Sequence, residues 1–132
     1  MGASASGDFT IKDSNGNLLT CDRNGNISLS SVSAADNSQI WSTGSDISNT
    51  ELVCTPAIGG TTSYKLCGDG VSGNELNSTS DNNTWNCASD GSISLVNDST
   101  IYAATSSNTK PTQSTNSQTW TWNTGAIKRP HK

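Results

Sequence analysis

The residues from which chemistry could be built are few in this 132-residue chain: eleven acids, seven bases, four cysteines and one histidine. That histidine, His131, stands in the terminal run Lys128-Arg129-Pro130-His131-Lys132, so a Ser-His-Asp or Cys-His arrangement has no base to draw on. Glu51 and Glu75 are the only glutamates, and nothing in the sequence places two carboxylates together for glycoside hydrolysis. No histidine cluster or Asp-rich calcium loop is present, so neither a metal nor a cofactor is expected. These residues predict no enzyme.

Cys21, Cys54, Cys67 and Cys87 are an even set without a C-x-x-C pair, which predicts two disulfides and an oxidising compartment. Sequons at Asn26, Asn77, Asn82 and Asn97 agree with a secreted, extracellular or cell-wall glycoprotein. Met1 to Gly7 has no apolar core and does not read as a signal peptide, so the chain is expected in mature form with its leader replaced. No apolar run is long enough to span a bilayer, and no membrane insertion is expected. Net charge is −4 and the pI about 4.6, which leaves no electrostatic footprint for nucleic acid. The basic tail, 128–132, is given no function.

Positioning such side chains falls to a repeated motif. Gln39-Ile40-Trp41 returns as Gln118-Thr119-Trp120, with a weaker copy at Asn83-Thr84-Trp85. The spacing, roughly forty residues, is that of a three-unit repeat architecture. Within the units short alternating runs such as Phe9-Thr10-Ile11-Lys12 and Ile27-Ser28-Leu29-Ser30 are separated by turn signals, Asn15-Gly16, Asn24-Gly25, Asp69-Gly70 and Asp90-Gly91, and no helical periodicity can be marked out. The chain is therefore predicted all-β, with four strands per unit. Closing twelve strands about a pseudo-threefold axis removes the sheet edges. That predicts a β-trefoil over residues 7–127, with repeats at about 7–46, 47–89 and 90–127, a disordered or appended segment 1–6, and the tail. A hairpin in the second repeat favours Cys54 with Cys67 among the three possible pairings, leaving Cys21 with Cys87.

A Gln-x-Trp closing each of three such units resembles the ricin B-type (R-type) lectins and the related family 13 carbohydrate-binding modules. The resemblance implies a β-trefoil scaffold in which Gln39, Trp41, Asn83, Trp85, Gln118 and Trp120 are structural, the indoles in the core and the amides tying loops. It also implies sugar pockets that use an acid just after the second strand, an aromatic ring on the third strand or its loop, and an amide shortly before the Gln-x-Trp. Asp22 and Asn37 match the first and third of these positions in the first repeat, and Asp69 with Asp81 or Asn82 in the second. A carboxylate accepts hydrogen bonds from vicinal hydroxyls while an amide donates and accepts. The expected partners are thus glycans or glycoproteins.

The pattern is incomplete. No aromatic residue lies between Asp22 and Gln39, or between Asp69 and Trp85, and the third repeat offers Ala103-Ala104-Thr105 in place of the acid. Both aspartates also sit beside Gly-containing turns, where Asp is common for conformational reasons. A trefoil with degenerate pockets that engages a protein through loops 56–63 and 105–117 is the second reading.

Overall fold

The computed structural model describes residues 7–107 and 110–124. In them the chain forms β1 (Gly7–Lys12), β2 (Leu18–Cys21), β3 (Ile27–Ser30), β4 (Trp41–Thr43), β5 (Val53–Cys54), β6 (Tyr64–Lys65), β7 (Trp85–Cys87), β8 (Ile93–Leu95), β9 (Tyr102–Ser107), β10 (Lys110–Ser114) and β11 (Thr121–Asn123), with no helix. Segment 1–6 and the basic tail lie outside the described residues. The protein is all-β, as the alternating pattern predicts: Phe9 and Ile11 in β1, Leu19 and Cys21 in β2, and Ile27 and Leu29 in β3 are buried while their neighbours are less so.

The backbone pairings run in a circuit. β1 pairs with β4 through Phe9 and Trp41, and β4 with β5 through Ser42 and Val53. Just before β5, Thr50 exchanges both backbone hydrogen bonds with Trp85, 3.0 and 2.8 Å. β7 then pairs with β8, the Trp120 amide donates to the Gly91 carbonyl at 2.9 Å, and β11 returns to β1 through Trp122 and Ile11. Three hairpins stand off this circuit. Two are continuous strand pairs, β2–β3 and β9–β10. The third is reduced to single bridges, Cys67 with Asn77 and Gly68 with Asn82. Much of loop 105–117 is thus a strand pair, and Pro111, which has no N–H to give, sits at its register shift.

Inside, the three motif tryptophans repeat one contact. The indole Nε1–H of Trp41 donates to the Leu19 carbonyl at 2.9 Å, that of Trp85 to Leu66 at 2.8 Å and that of Trp120 to Ala103 at 3.0 Å. All three rings are at most 2% exposed. Burying so large a side chain needs its N–H satisfied, and a carbonyl on the neighbouring hairpin does so each time. Trp122 instead meets Phe9 edge to face, centroids 5.4 Å apart.

The predicted disulfides do not form: Cys21, Cys54, Cys67 and Cys87 are buried thiols. Register explains the first failure. Cys54 stands opposite Tyr64 and Leu52 receives the Leu66 amide, so Cys67 lies three positions further along, about 10 Å at strand rise, beyond the ~7 Å a disulfide can bridge. Cys54 Sγ donates to the Asn37 carbonyl and Cys67 Sγ to the Lys65 carbonyl. Cys87 and Cys21 lie in the common core as small apolar residues. The inference from cysteine count to an oxidising compartment therefore loses its premise.

Candidate functional site

Two consecutive turns carry the same pattern, Asp13-Ser14-Asn15-Gly16-Asn17 and Asp22-Arg23-Asn24-Gly25-Asn26, and they fold the same way. In the second, Asp22 Oδ1 accepts the backbone N–H of Asn24 at 2.8 Å and of Asn26 at 3.0 Å, while the Asp22 amide donates to the Asn26 carbonyl. The first repeats these bonds about Asp13. Glycine at the fourth place takes φ of +87° and +85°, the left-handed region that other residues avoid. Asp13 is buried, its Oδ2 accepting the Thr105 hydroxyl of the third repeat at 3.0 Å. Asp22 is exposed, and its Oδ2 accepts the Asn26 side-chain amide at 3.0 Å. Burial pushes the Asp22 carboxyl up, but the hydrogen bonds from Asn26, Asn24 and Gly25 outweigh it and hold its pKa below the ordinary value.

The second repeat grips this turn. A Cβ on Gly25 would come within 2.7 Å of the Tyr64 ring, the Tyr64 hydroxyl donates to the Arg23 carbonyl at 2.9 Å, and the Ser78 hydroxyl donates to the Gly25 carbonyl at 2.7 Å. Beside the contact opens a groove of about 530 Å3. Asp22, Asn24 and Asn26 line it from the first repeat, Asn77, Ser78 and Thr79 from the second, and Glu75 and Lys110 complete its charged lining. Glu75 and Lys110 pair at 3.6 Å. The lining thus joins amides, hydroxyls and carboxylates on two facing loops, a set that can both donate to and accept from a polyhydroxylated molecule.

Of the five residues expected to hold sugar, only Asp22 lines this groove. Asn37 is 8% exposed and its Oδ1 is sealed from solvent with no partner among the described residues; its backbone joins Pro56 and Ile40. Asp69 is exposed but engaged, accepting Val71 N and Gln113 Nε2 on Oδ1 and Asn74 Nδ2 on Oδ2. Those bonds, Asn74 first and Gln113 next, lower its pKa. Asp81 is exposed, and Asn82 accepts the Asn97 amide at 3.0 Å while its backbone bridges Gly68. Asn37 and Asp22 are the chain neighbours of a bonded pair, since Cys21 N donates to Ser38 O at 2.8 Å, but of the two only Asp22 lines the groove.

The motif amides behave as ties. Gln39 joins Ala34 N and Val32 O, and Gln118 joins Thr105 N and its hydroxyl. Asn83 is one methylene shorter, and in the second repeat the tie is supplied from β10: Gln113, 1% exposed, accepts Gly70 N at 2.7 Å and donates to Asp69. Gly68 has the room, because a Cβ there would meet the Gln113 amide at 2.6 Å. Asn24, Asn26, Asn77, Ser78, Thr79 and Gln113 are what sequence reasoning passed over; the doubled Asp-x-Asn-Gly-Asn pattern is the signal that could have found the first two. No group of His, Cys, Asp or Glu among the described residues could hold a metal ion, and no helix there is long and apolar enough to cross a membrane. No family model matches the chain, and no match is found among curated proteins or solved structures.

Proposed function

We propose that this protein is a secreted carbohydrate-binding module without catalytic activity, built as a β-trefoil of three repeats in the manner of the R-type lectins, and that the groove between its first and second repeats is the binding site. The observation that carries the reading is the lining of that groove: Asn24, Asn26, Asn77, Ser78 and Thr79 converge with Asp22 on one cavity of about 530 Å3. Its size suits one or two sugar rings, within the ~300–1,000 Å3 of small-molecule sites. The trefoil part rests on the thrice-repeated indole bond and on the circuit of pairings. Because no aromatic ring lines the groove, apolar sugar faces go uncovered and the dissociation constant should be on the order of 1 mM.

Two of the sequons, Asn26 and Asn77, line this same groove. A glycan linked at either would fill it, so binding here and glycosylation there exclude one another. Loop 56–63 keeps one apolar side chain in water, Ile58 at 45% exposure, and a single exposed aliphatic makes no docking face. The protein-partner reading therefore stands second.

Calorimetric titration with neutral oligosaccharides tests the proposal. Asn24→Ala and Thr79→Ala remove side chains that tie no loop among the described residues, so each should weaken binding about three- to tenfold, the worth of one hydrogen bond, at unchanged melting temperature. Asp22→Ala is a poorer probe, because it also frees the turn. Absence of heat and of any spectral change with every neutral sugar, in folded protein, would refute it.

A further inference from the structure

The charged lining of the groove says more about its ligand than the hydroxyls and amides do. Asp22, Glu75 and Lys110 are its charged side chains, one positive against two negative, on a chain whose net charge is already −4. Asp22 stays ionised well into acid, since its turn hydrogen bonds hold the carboxylate form. The other two form an open pair: Glu75 and Lys110 are 3.6 Å apart with side chains 58% and 53% exposed. A pair this wet sits at the weak end of salt-bridge strength, so its partners exchange at little cost. Of the other basic side chains among the described residues, Arg23 pairs with Asp36 at 3.5 Å and Lys65 with Glu51 at 2.8 Å, and neither these nor Lys12 on β1 line the groove.

The consequences for an incoming sugar are unequal. A uronic or sulfated sugar finds one cation, must take it from Glu75, and then lies against two carboxylates. An amine-bearing sugar replaces the Lys110 ammonium on Glu75, while the long lysine chain swings into water and keeps its hydration. We infer that the groove selects saccharides carrying a free amine over neutral ones and excludes acidic ones, with Glu75 as the residue that receives the ammonium. This rests on the glycan-binding reading above and names its ligand class.

The test is calorimetry at low salt and about pH 6, where a sugar amine is protonated, with three trisaccharides: glucosamine, N-acetylglucosamine and galacturonic acid. The amine trimer should bind about threefold or more tighter than the neutral one, as expected when its ammonium gains Glu75 within a net-negative lining and displaces only a wet, weak ion pair, and the galacturonic acid trimer weakest. Raising the salt to about 0.5 M should erase most of the difference. Lys110→Met, which frees Glu75, should widen the preference, and Glu75→Gln should reduce it to the neutral level. Glu51→Gln makes the same change in net charge away from the groove and should leave the preference intact. If the neutral trimer binds while the amine trimer gains nothing, or if Glu51→Gln acts like Glu75→Gln, the charge assignment is overturned and the glycan reading stands. If none of the three binds to folded protein, both fall.

Discussion

At the scale of single residues, the indole nitrogens separate scaffold from ornament. Trp85 Nε1–H donates to Leu66 O inside the core, so Trp85→Phe keeps most of the bulk and strands a buried carbonyl. It should cost about 1–3 kcal/mol in a urea melt, besides any packing loss. Trp122 Nε1 is buried without a partner among the described residues, so Trp122→Phe removes an unsatisfied donor and should be close to neutral by the same assay. The motif made the scaffold role legible because the indole recurs with an amide two positions before it, but the expected strand over Gln39-Ile40-Trp41 begins only at Trp41, with Gln39 in the turn ahead of β4 and Gln118 in the run ahead of β11. What it could not show is which acid faces a cavity. Asp13 and Asp22 have the same pattern in sequence and the same turn in space, yet Asp13 is 3% exposed and bonded to Thr105 while Asp22 opens on the groove. The difference lies in what packs against each turn, and that comes from distant parts of the chain.

At the scale of elements, the groove exists because one repeat holds the turn of another. Gly16 and Gly25 share a φ near +86°, +87° and +85°, so replacing either by alanine meets the same backbone strain. Only at Gly25 does the new methyl also strike Tyr64. Gly25→Ala should therefore cost more than Gly16→Ala, both exceeding ~1 kcal/mol, and only the former should weaken glycan binding. The ties make a parallel case: Gln39→Ala strips bonded partners from Ala34 N and Val32 O and should cost about 1–3 kcal/mol, whereas Asn83→Ala should stay within about 0.5 kcal/mol. Chemical denaturation ranks all four. Turn positions were readable from Asn-Gly and Asp-Gly pairs and the first strands from period-two alternation, whereas of the twelve strands expected eleven form among the described residues. In the second repeat the expected strand Glu75-Leu76-Asn77 does not form, since only isolated bridges stand at Glu75 and Asn77, and the amide that steadies this region, Gln113, comes from β10. Register likewise decided the cysteines: Cys54 and Cys67 flank one hairpin in sequence, yet Cys54 faces Tyr64.

At the scale of the whole molecule, stability should fall away on both sides of neutrality. Asp22, Asp36, Asp69, Asp90 and Asp98 all have pKa values lowered from 3.8. The folded state holds these protons less tightly than the unfolded one, so their contribution is present above 3.8 and lost as the pH falls through the lower folded values. Burial pushes the Cys87 thiol from 9.0 up to about 12. Its contribution is full below 9.0 and lost as the pH rises toward 12. Melting temperature against pH should show a plateau between these limits with a decline on each flank, and Cys87→Ser or Cys87→Ala should shrink the alkaline one.

The all-β class was readable from strand alternation and from turn pairs, and one indole contact recurs at Trp41, Trp85 and Trp120; the proposed groove was not, because it occurs once, where Asn24 and Asn26 face Asn77, Ser78 and Thr79. The most direct measurement of its role is a residue-resolved NMR titration of the amide-labelled protein with a neutral oligosaccharide. The groove account predicts saturable shifts at Asn24, Gly25, Asn26, Ser28, Asn77, Ser78 and Thr79, with Asp69, Asp81 and Asn82 unmoved. Shifts centred on Asp69 and Asn82, or none at all up to tens of millimolar (~10-fold above the expected dissociation constant), would contradict it.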